Sequence, residues 1–183
     1  MALRNIRLSN DEMLRKKSKP VTGITQSTLT LLDDMAETLY SQNGLGLAAP
    51  QVGVLRRIVV VDVGEGIVEL INPELVEAEG TQNCYEGCLS IPDVSGLVER
   101  PLRVKIKALN RNGEEFFAEG ADIAAIAFCH ELDHLDGILY TDKATVIKNN
   151  EELEREEQEN EARRKIMQAR RERRQANGGG NRQ

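Results

Sequence analysis

The only two histidines of this chain stand four residues apart, in His130-Glu131-Leu132-Asp133-His134. No other feature constrains the local fold as much. Four-residue spacing stacks two side chains on one face of an α-helix, about one turn apart. Two neutral imidazoles so placed can grip one divalent metal, and the glutamate beside them can handle a proton. A helix with two stray surface histidines is the bland alternative, but here the motif takes every histidine available. A catalytic site of this kind needs a third protein ligand and one open position. In the HExxHxxGxxH group that ligand is a later histidine. Gly137 fits the glycine of that pattern, but Tyr140 stands where the histidine belongs. Glu151 and Glu152 sit in a dense run of like charges that reads as a solvated helix face. Three cysteines remain. Cys129 projects about 100° around the helix from His130 and reads as a small buried apolar residue. Cys88, with Gly87 before it and Pro92 shortly after, and Cys84 both stand as candidates.

The motif helix is expected to start at Asp122 as its cap and to end before Gly137. Ile123, Ile126, Ala127, His130 and His134 share one face of it, so the histidines are mounted on an apolar stripe. An earlier helix is expected from a Thr25 cap through about Ser41, with Leu29, Leu32, Ala36 and Leu39 as its stripe and Asn43-Gly44 as its end. Arg57 to Val63 (RIVVVDV) is β-branched and short, hence a strand, with Val68 to Ile71 as its neighbour. Arg103 to Leu109 alternates apolar and basic, Asn110 to Gly113 makes a hairpin turn, and Glu114 to Glu119 returns. The expected fold is α+β: antiparallel strands packed around a central metal-binding helix, with a C-terminal helical extension.

Three separated blocks occur in this order: Gly44-Leu45-Gly46-Leu47-Ala48-Ala49-Pro50-Gln51, Glu86-Gly87-Cys88-Leu89-Ser90, and His130 to His134. Together they resemble the GxGxAAxQ, EGCLS and HExDH signature of the peptide deformylase family, and the resemblance covers roughly residues 4 to 146. It implies that Cys88, His130 and His134 are the metal ligands, with Cys88 drawn from a mid-chain loop, and that Cys84 is not one. It further implies a substrate, the N-formylmethionine that begins a nascent chain, and two products, formate and a free amino terminus. Glu131 is then the proton carrier, while the Gln51 side-chain amide and the backbone N–H of Leu89 face the oxyanion. The family is associated with ferrous iron; the donor set also suits zinc, nickel or cobalt. Leu45, Ile123, Ile126 and Ala127 are placed to line a methionine slot. The backbones of Gly46 and Gly87 are placed to pair with substrate as an added strand. Glu86 and Arg100 are an expected ion pair behind the ligands. Two positions depart from the family pattern: Cys129 replaces a frequent glutamine, and Ser95 replaces an arginine found in some members.

The net charge of −6 hides a division. Residues 1 to 147 read as the catalytic body, and up to Val146 they are acidic. From Lys148 the composition changes, with seven glutamates between Glu151 and Glu161 and seven basic residues between Arg163 and Arg174. Acid first and base last complements a helix dipole, so residues 148 to 176 read as a long charged helix and 177 to 183 as a disordered tail. Its basic half is a candidate ribosome contact. The acidic body argues against bulk nucleic-acid binding. No run of about 20 apolar residues is present to span a membrane. Met1-Ala2-Leu3-Arg4 lacks a secretory signal, and three cysteines without framework spacing suit a reducing compartment; both point to the cytoplasm, with a processed organellar form as the alternative. Two other functions fit parts of this pattern. One is an HExxH metallopeptidase. The other is a structural metal domain, with Cys84 as fourth ligand and the basic tail holding a partner.

Overall fold

The computed structural model describes residues 2–178. It falls into two compact units, Met1–Ile147 and Lys148–Gln183. In chain order the elements are α1 (Gln26–Ser41), β1 (Gly46–Ala48), β2 (Ile58–Val61), β3 (Val68–Glu79), β4 (Gln82–Cys88), β5 (Ile91–Arg100), β6 (Arg103–Leu109), β7 (Glu115–Ala121), α2 (Ile123–Leu135), β8 (Val146–Asn149) and α3 (Asn150–Gly178). Short 3-10 turns cover Glu12–Arg15, Ala49–Val52 and Tyr140–Asp142. Five strands form one sheet in the order β1-β2-β3-β6-β7, and three form a second in the order β4-β5-β8.

The expected α+β architecture is present, and β2 shows why it holds. All four of its residues are buried, because successive side chains point to opposite faces and both faces are covered. Ile58 and Val60 pack with Leu31, Leu32, Met35 and Leu39 of α1. Val59 and Val61 pack with Ala125, Phe128 and Leu135 of α2. Each such aliphatic side chain contributes roughly 1.5–3 kcal/mol by leaving water. An unbroken IVVV run is therefore the sequence mark of a strand held between two helices.

The sequence reading falls short in three places. The strand expected at Val68 to Ile71 runs on to Glu79, bending at register shifts after Ile71 and Leu75. The whole second sheet was missed, and Cys88 is the last residue of β4 rather than part of a loop. Asp122 stands at the N-cap of α2, but with φ 50° and no side-chain capping bond. Thr25 is the N-cap of α1 as expected, its N–H donating to Thr28 Oγ1 at 3.4 Å and its hydroxyl pairing with that of Ser27 at 2.8 Å.

In the second unit Asn149 caps α3, accepting from the Glu152 N–H at 2.8 Å. Within α3, Glu161 and Lys165 pair at 2.7 Å across an i,i+4 spacing. Asn177 and Gly178 close α3; the remainder of the tail expected to be disordered, 179 to 183, lies outside the described residues.

The N-terminal arm threads past both ends of the body. Arg4 pairs with buried Asp34 at 2.7 Å, the Arg7 N–H donates to the Gln51 carbonyl at 2.7 Å, and the Ser9 N–H donates to that of Ser90 at 2.8 Å. Further on, the Ser18 N–H reaches the last carbonyl of α2, Leu135, at 2.8 Å. Gly137, just past α2, adopts φ 75°, and a Cβ there would lie 2.5 Å from the backbone oxygen of Arg15. Left-handed geometry and a backbone clash together forbid a side chain at this position. Gly137→Ala is expected to lower stability by about 1–3 kcal/mol, measured as a drop in urea midpoint with an unchanged m-value.

Candidate metal centre

Strand alternation puts Cys84 and Glu86 on one face of β4, and Cys88 follows a register shift after Glu86. Four residues of strand span about 13 Å, so Cys84 and Cys88 cannot share one ion. α2 brings the other donors: His130 and His134 are buried on it. One donor atom from each of Cys88, His130 and His134 lies within 4.8 Å of the others, the only such group of three metal-ligating side chains among the described residues. Cys88 Sγ is 3.2 Å from His134 Nε2. The donor set and spacing fit a single divalent metal, with sulfur and two imidazoles as three of its four ligands.

The surroundings aim these donors. His130 Nδ1 donates to Glu86 Oε2 at 2.8 Å, which leaves Nε2 as the metal-facing lone pair. Glu86 is in turn gripped by the Arg100 fork, Nε to Oε1 at 2.6 Å and Nη2 to Oε2 at 2.9 Å. Both side chains are about 3% exposed. Burial alone would raise the Glu86 pKa, but the hydrogen bonds from Arg100 and His130 outweigh it and hold the carboxyl below its ordinary value. Burial likewise works against charge on His130, yet its bonds to Cys88 and Glu86 dominate and push it up to about 10. Burial, with His130 alongside, holds His134 well below the usual range. The two rings thus differ: Cys88 and Glu86 favour positive charge at His130, while burial disfavours it at His134. Tyr140 stacks on the His130 ring, centroids 6.0 Å apart, and its hydroxyl donates to the Val94 carbonyl at 2.9 Å.

Glu131 stands apart from this pairing. It is 4% exposed, its Oε2 has no partner among the described residues, and burial pushes its pKa up to about 7. It fits because residue 46 is glycine: a Cβ there would sit 2.5 Å from Glu131 Oε1. Gln51 is held in place by its own block. Its Oε1 accepts from the Ala48 N–H at 2.8 Å, and its Nε2 points to Ser90 Oγ at 3.2 Å and Cys88 Sγ at 3.5 Å.

These groups surround a cavity of about 340 Å³ lined by Gly44, Leu45, Gly46, Gln51, Glu86, Gly87, Cys88, Leu89, Ile123, Ile126, Ala127, His130 and Glu131. Every site residue expected from the sequence thus lies on the pocket, in the donor cluster (His134) or directly behind it (Arg100). Ile123 is half exposed at 53%. The sequence reading missed Ser90, Tyr140, Asp133 and Lys143 as supports. Only the family blocks carried a hint of Ser90 and Asp133, and no local pattern marked Lys143.

Comparisons with known proteins agree with this geometry. Residues 3–150 match the family model described as polypeptide deformylase. The chain is 61% identical to a peptide deformylase of Acetivibrio thermocellus over 155 residues, which cover 85% of this chain and 91% of the relative. It is 57% identical to that of Thermoanaerobacter pseudethanolicus, again over 85% of this chain and 98% of the relative. Among solved structures, the peptide deformylase from Thermotoga maritima superposes with a TM-score of 0.77 at 42% identity, covering 80% of this chain and all of that one. An actinonin-bound peptide deformylase from Acinetobacter baumannii gives 0.75 at 32% identity, covering 79% and 100%.

Removing one partner of the Glu86–Arg100 pair leaves a buried charge alone, so Arg100→Met is expected to cost about 3–5 kcal/mol in chemical denaturation. The pair also sets a pH dependence. The Glu86 pKa is depressed on folding, so its contribution is present above the ordinary value of 4.5 and lost as pH falls through the lower folded pKa. Glu86→Gln is expected to flatten that acid-side loss in a stability–pH curve.

Proposed function

The chain belongs to the polypeptide deformylase family and is a metal-dependent hydrolase of N-formyl groups; we propose that its working substrate is the formylated initiator methionine of nascent polypeptides. The observation that carries this reading is the Cys88–His130–His134 cluster at a small apolar pocket, with one buried carboxyl oxygen of Glu131 left without a partner among the described residues. Cys88, His130 and His134 would hold a divalent metal, which would supply Lewis acidity toward a carbonyl and a lowered pKa for water. We assign the other steps to the chain's own groups. Glu131 takes the proton of the attacking water and passes it to the leaving amine, and a pKa near neutrality suits that shuttle. The Gln51 amide, fixed by Ala48 and Ser90, and the Leu89 N–H donate to the developing oxyanion.

Leu45, Ile123, Ile126 and Ala127 form the proposed methionine slot, which suits a flexible thioether. The formyl carbon bears only hydrogen, so a confined site admits it and rejects an acetyl methyl by clash. The backbones of Gly46 and Gly87 flank the cavity, positioned to pair with the substrate strand. A structural metal domain is disfavoured, because Cys84 stands outside the donor cluster and its sulfur turns to the Tyr85 carbonyl at 3.4 Å.

We propose ferrous iron as the working metal, with zinc, nickel or cobalt as replacements. An iron–thiolate site is oxygen-sensitive, which oxygen-free preparation avoids. Residues 1 to 147 are the proposed catalytic body, and the charged helix that follows runs to Gly178 rather than ending at 176. The basic run Arg163 to Arg174 is suited to ribosomal RNA at the place where the substrate emerges. No described helix is long and apolar enough to cross a membrane. The free cysteines and bacterial relatives support a cytoplasmic setting.

Formate release from formyl-Met-Ala, without cleavage of internal peptide bonds, is the expected activity. Cleavage of internal bonds instead would establish a metallopeptidase. Glu131→Gln is expected to lower kcat about 10²–10⁴-fold while metal stays bound. Because the carboxylate is the active form, wild-type kcat/KM should fall as pH drops through the Glu131 pKa, on a limb at or below about 7. Truncation after Lys148 is expected to weaken ribosome binding in a salt-dependent manner and to spare turnover of the short peptide.

A further inference from the structure

The ion pair behind His130 does not end at Arg100. Arg100 Nη1 donates to Asp133 Oδ2 at 2.6 Å, and Lys143 Nζ donates to Asp133 Oδ1 at 2.7 Å. A row of alternating charge therefore runs from the His130 ring through Glu86, Arg100 and Asp133 to Lys143, whose side chain is 40% exposed. We infer that Asp133 is a positioning residue of the metal centre, fixing the Arg100 fork so that Glu86 meets His130 Nδ1 and His130 Nε2 stays aimed at the metal. The inference rests on the metal reading above.

Three observations carry it. Arg100 spends its Nε and Nη2 on Glu86, and Asp133 holds the remaining Nη1, the one anchor of the guanidinium that is independent of Glu86. The bidentate geometry on Glu86 needs the guanidinium plane to be set, since a planar fork matches a carboxylate in one orientation. Asp133 also lies in the last turn of α2, two residues before Leu135. There the helix dipole disfavours an anion, so a carboxylate at this place is held by tertiary partners rather than by local preference. Its side chain is 14% exposed, and Lys143 from the Tyr140–Asp142 turn region closes over its other oxygen.

The test is release of metal, read on full-length chain loaded with Co(II). Asp133→Asn keeps the size of the side chain and removes its charge. It is expected to release Co(II) to a chelator about tenfold faster and to shift the sulfur-to-cobalt and d–d absorption bands. Arg111→Met breaks an exposed cluster with Glu69 and Asp33 far from the ligands, and is expected to leave both readouts unchanged. If Asp133 acts through Glu86, then in a Glu86→Gln background the same Asn substitution changes release less than twofold. Should Asp133→Asn not fold, Asp133→Glu, which keeps the charge on a longer arm, is expected to accelerate release in the same direction. A wild-type release rate in these variants, or an effect that adds fully to Glu86→Gln, overturns the inference and leaves the deformylase reading intact. A wild-type chain that neither holds Co(II) nor releases formate overturns both.

Discussion

A carboxylate and a guanidinium, both almost out of contact with water, join the helix of the histidines to the strands that deliver the cysteine. Glu86 belongs to β4 and Arg100 to the end of β5, yet Glu86 reaches His130 and Arg100 reaches Asp133, both on α2. The metal ligands come from two of these elements, β4 and α2. Whatever holds that pair holds the three donor atoms in common geometry. Burying two charges is costly unless every lone pair and proton finds a partner. Here the Arg100 fork is occupied on all three nitrogens and Glu86 on both oxygens. The interaction therefore supplies orientation more than net stability.

Against that saturated pair, Glu131 is the exception. Its neighbour in space is the bare Cα of Gly46, and one of its oxygens has no partner among the described residues. A folded chain tolerates such a group where chemistry needs it. Two carboxylates in one small region are thus driven in opposite directions: Glu86 is kept charged by a cation, while Glu131 is drawn toward neutrality by burial. Their different fates come from partners rather than from residue type.

Much of this was legible from the chain. The HExxH spacing announced a helix and a metal, RIVVVDV announced a strand, and the three blocks together announced the ligand set. The second sheet was not legible. Its signal is broken by Glu86, which is inward because Arg100 waits for it, and by Pro92, Asp93 at φ 68° and Gly96, which interrupt any alternation. Gly96 is needed where Tyr140 presses against β5. The capping role expected of Asp122 failed because its backbone takes a left-handed turn out of β7 instead. The partnership of Asp133 with Arg100 and Lys143 joins residues 33 and 10 positions away, and no periodicity within one element can report it.

The arm at the start of the chain carries a consequence for timing. Its main-chain amides fasten to Gln51, Ser90 and Leu135, so the last of these bonds, from Ser18, waits until the end of the ligand helix has appeared. Contacts so distant in sequence come late, since closing long loops costs entropy before any bond forms. A half-synthesised copy possesses the glycine-rich block and the thiol, but neither imidazole. On the ribosome it is cargo and no catalyst, and only a finished molecule can attend to the beginnings of others.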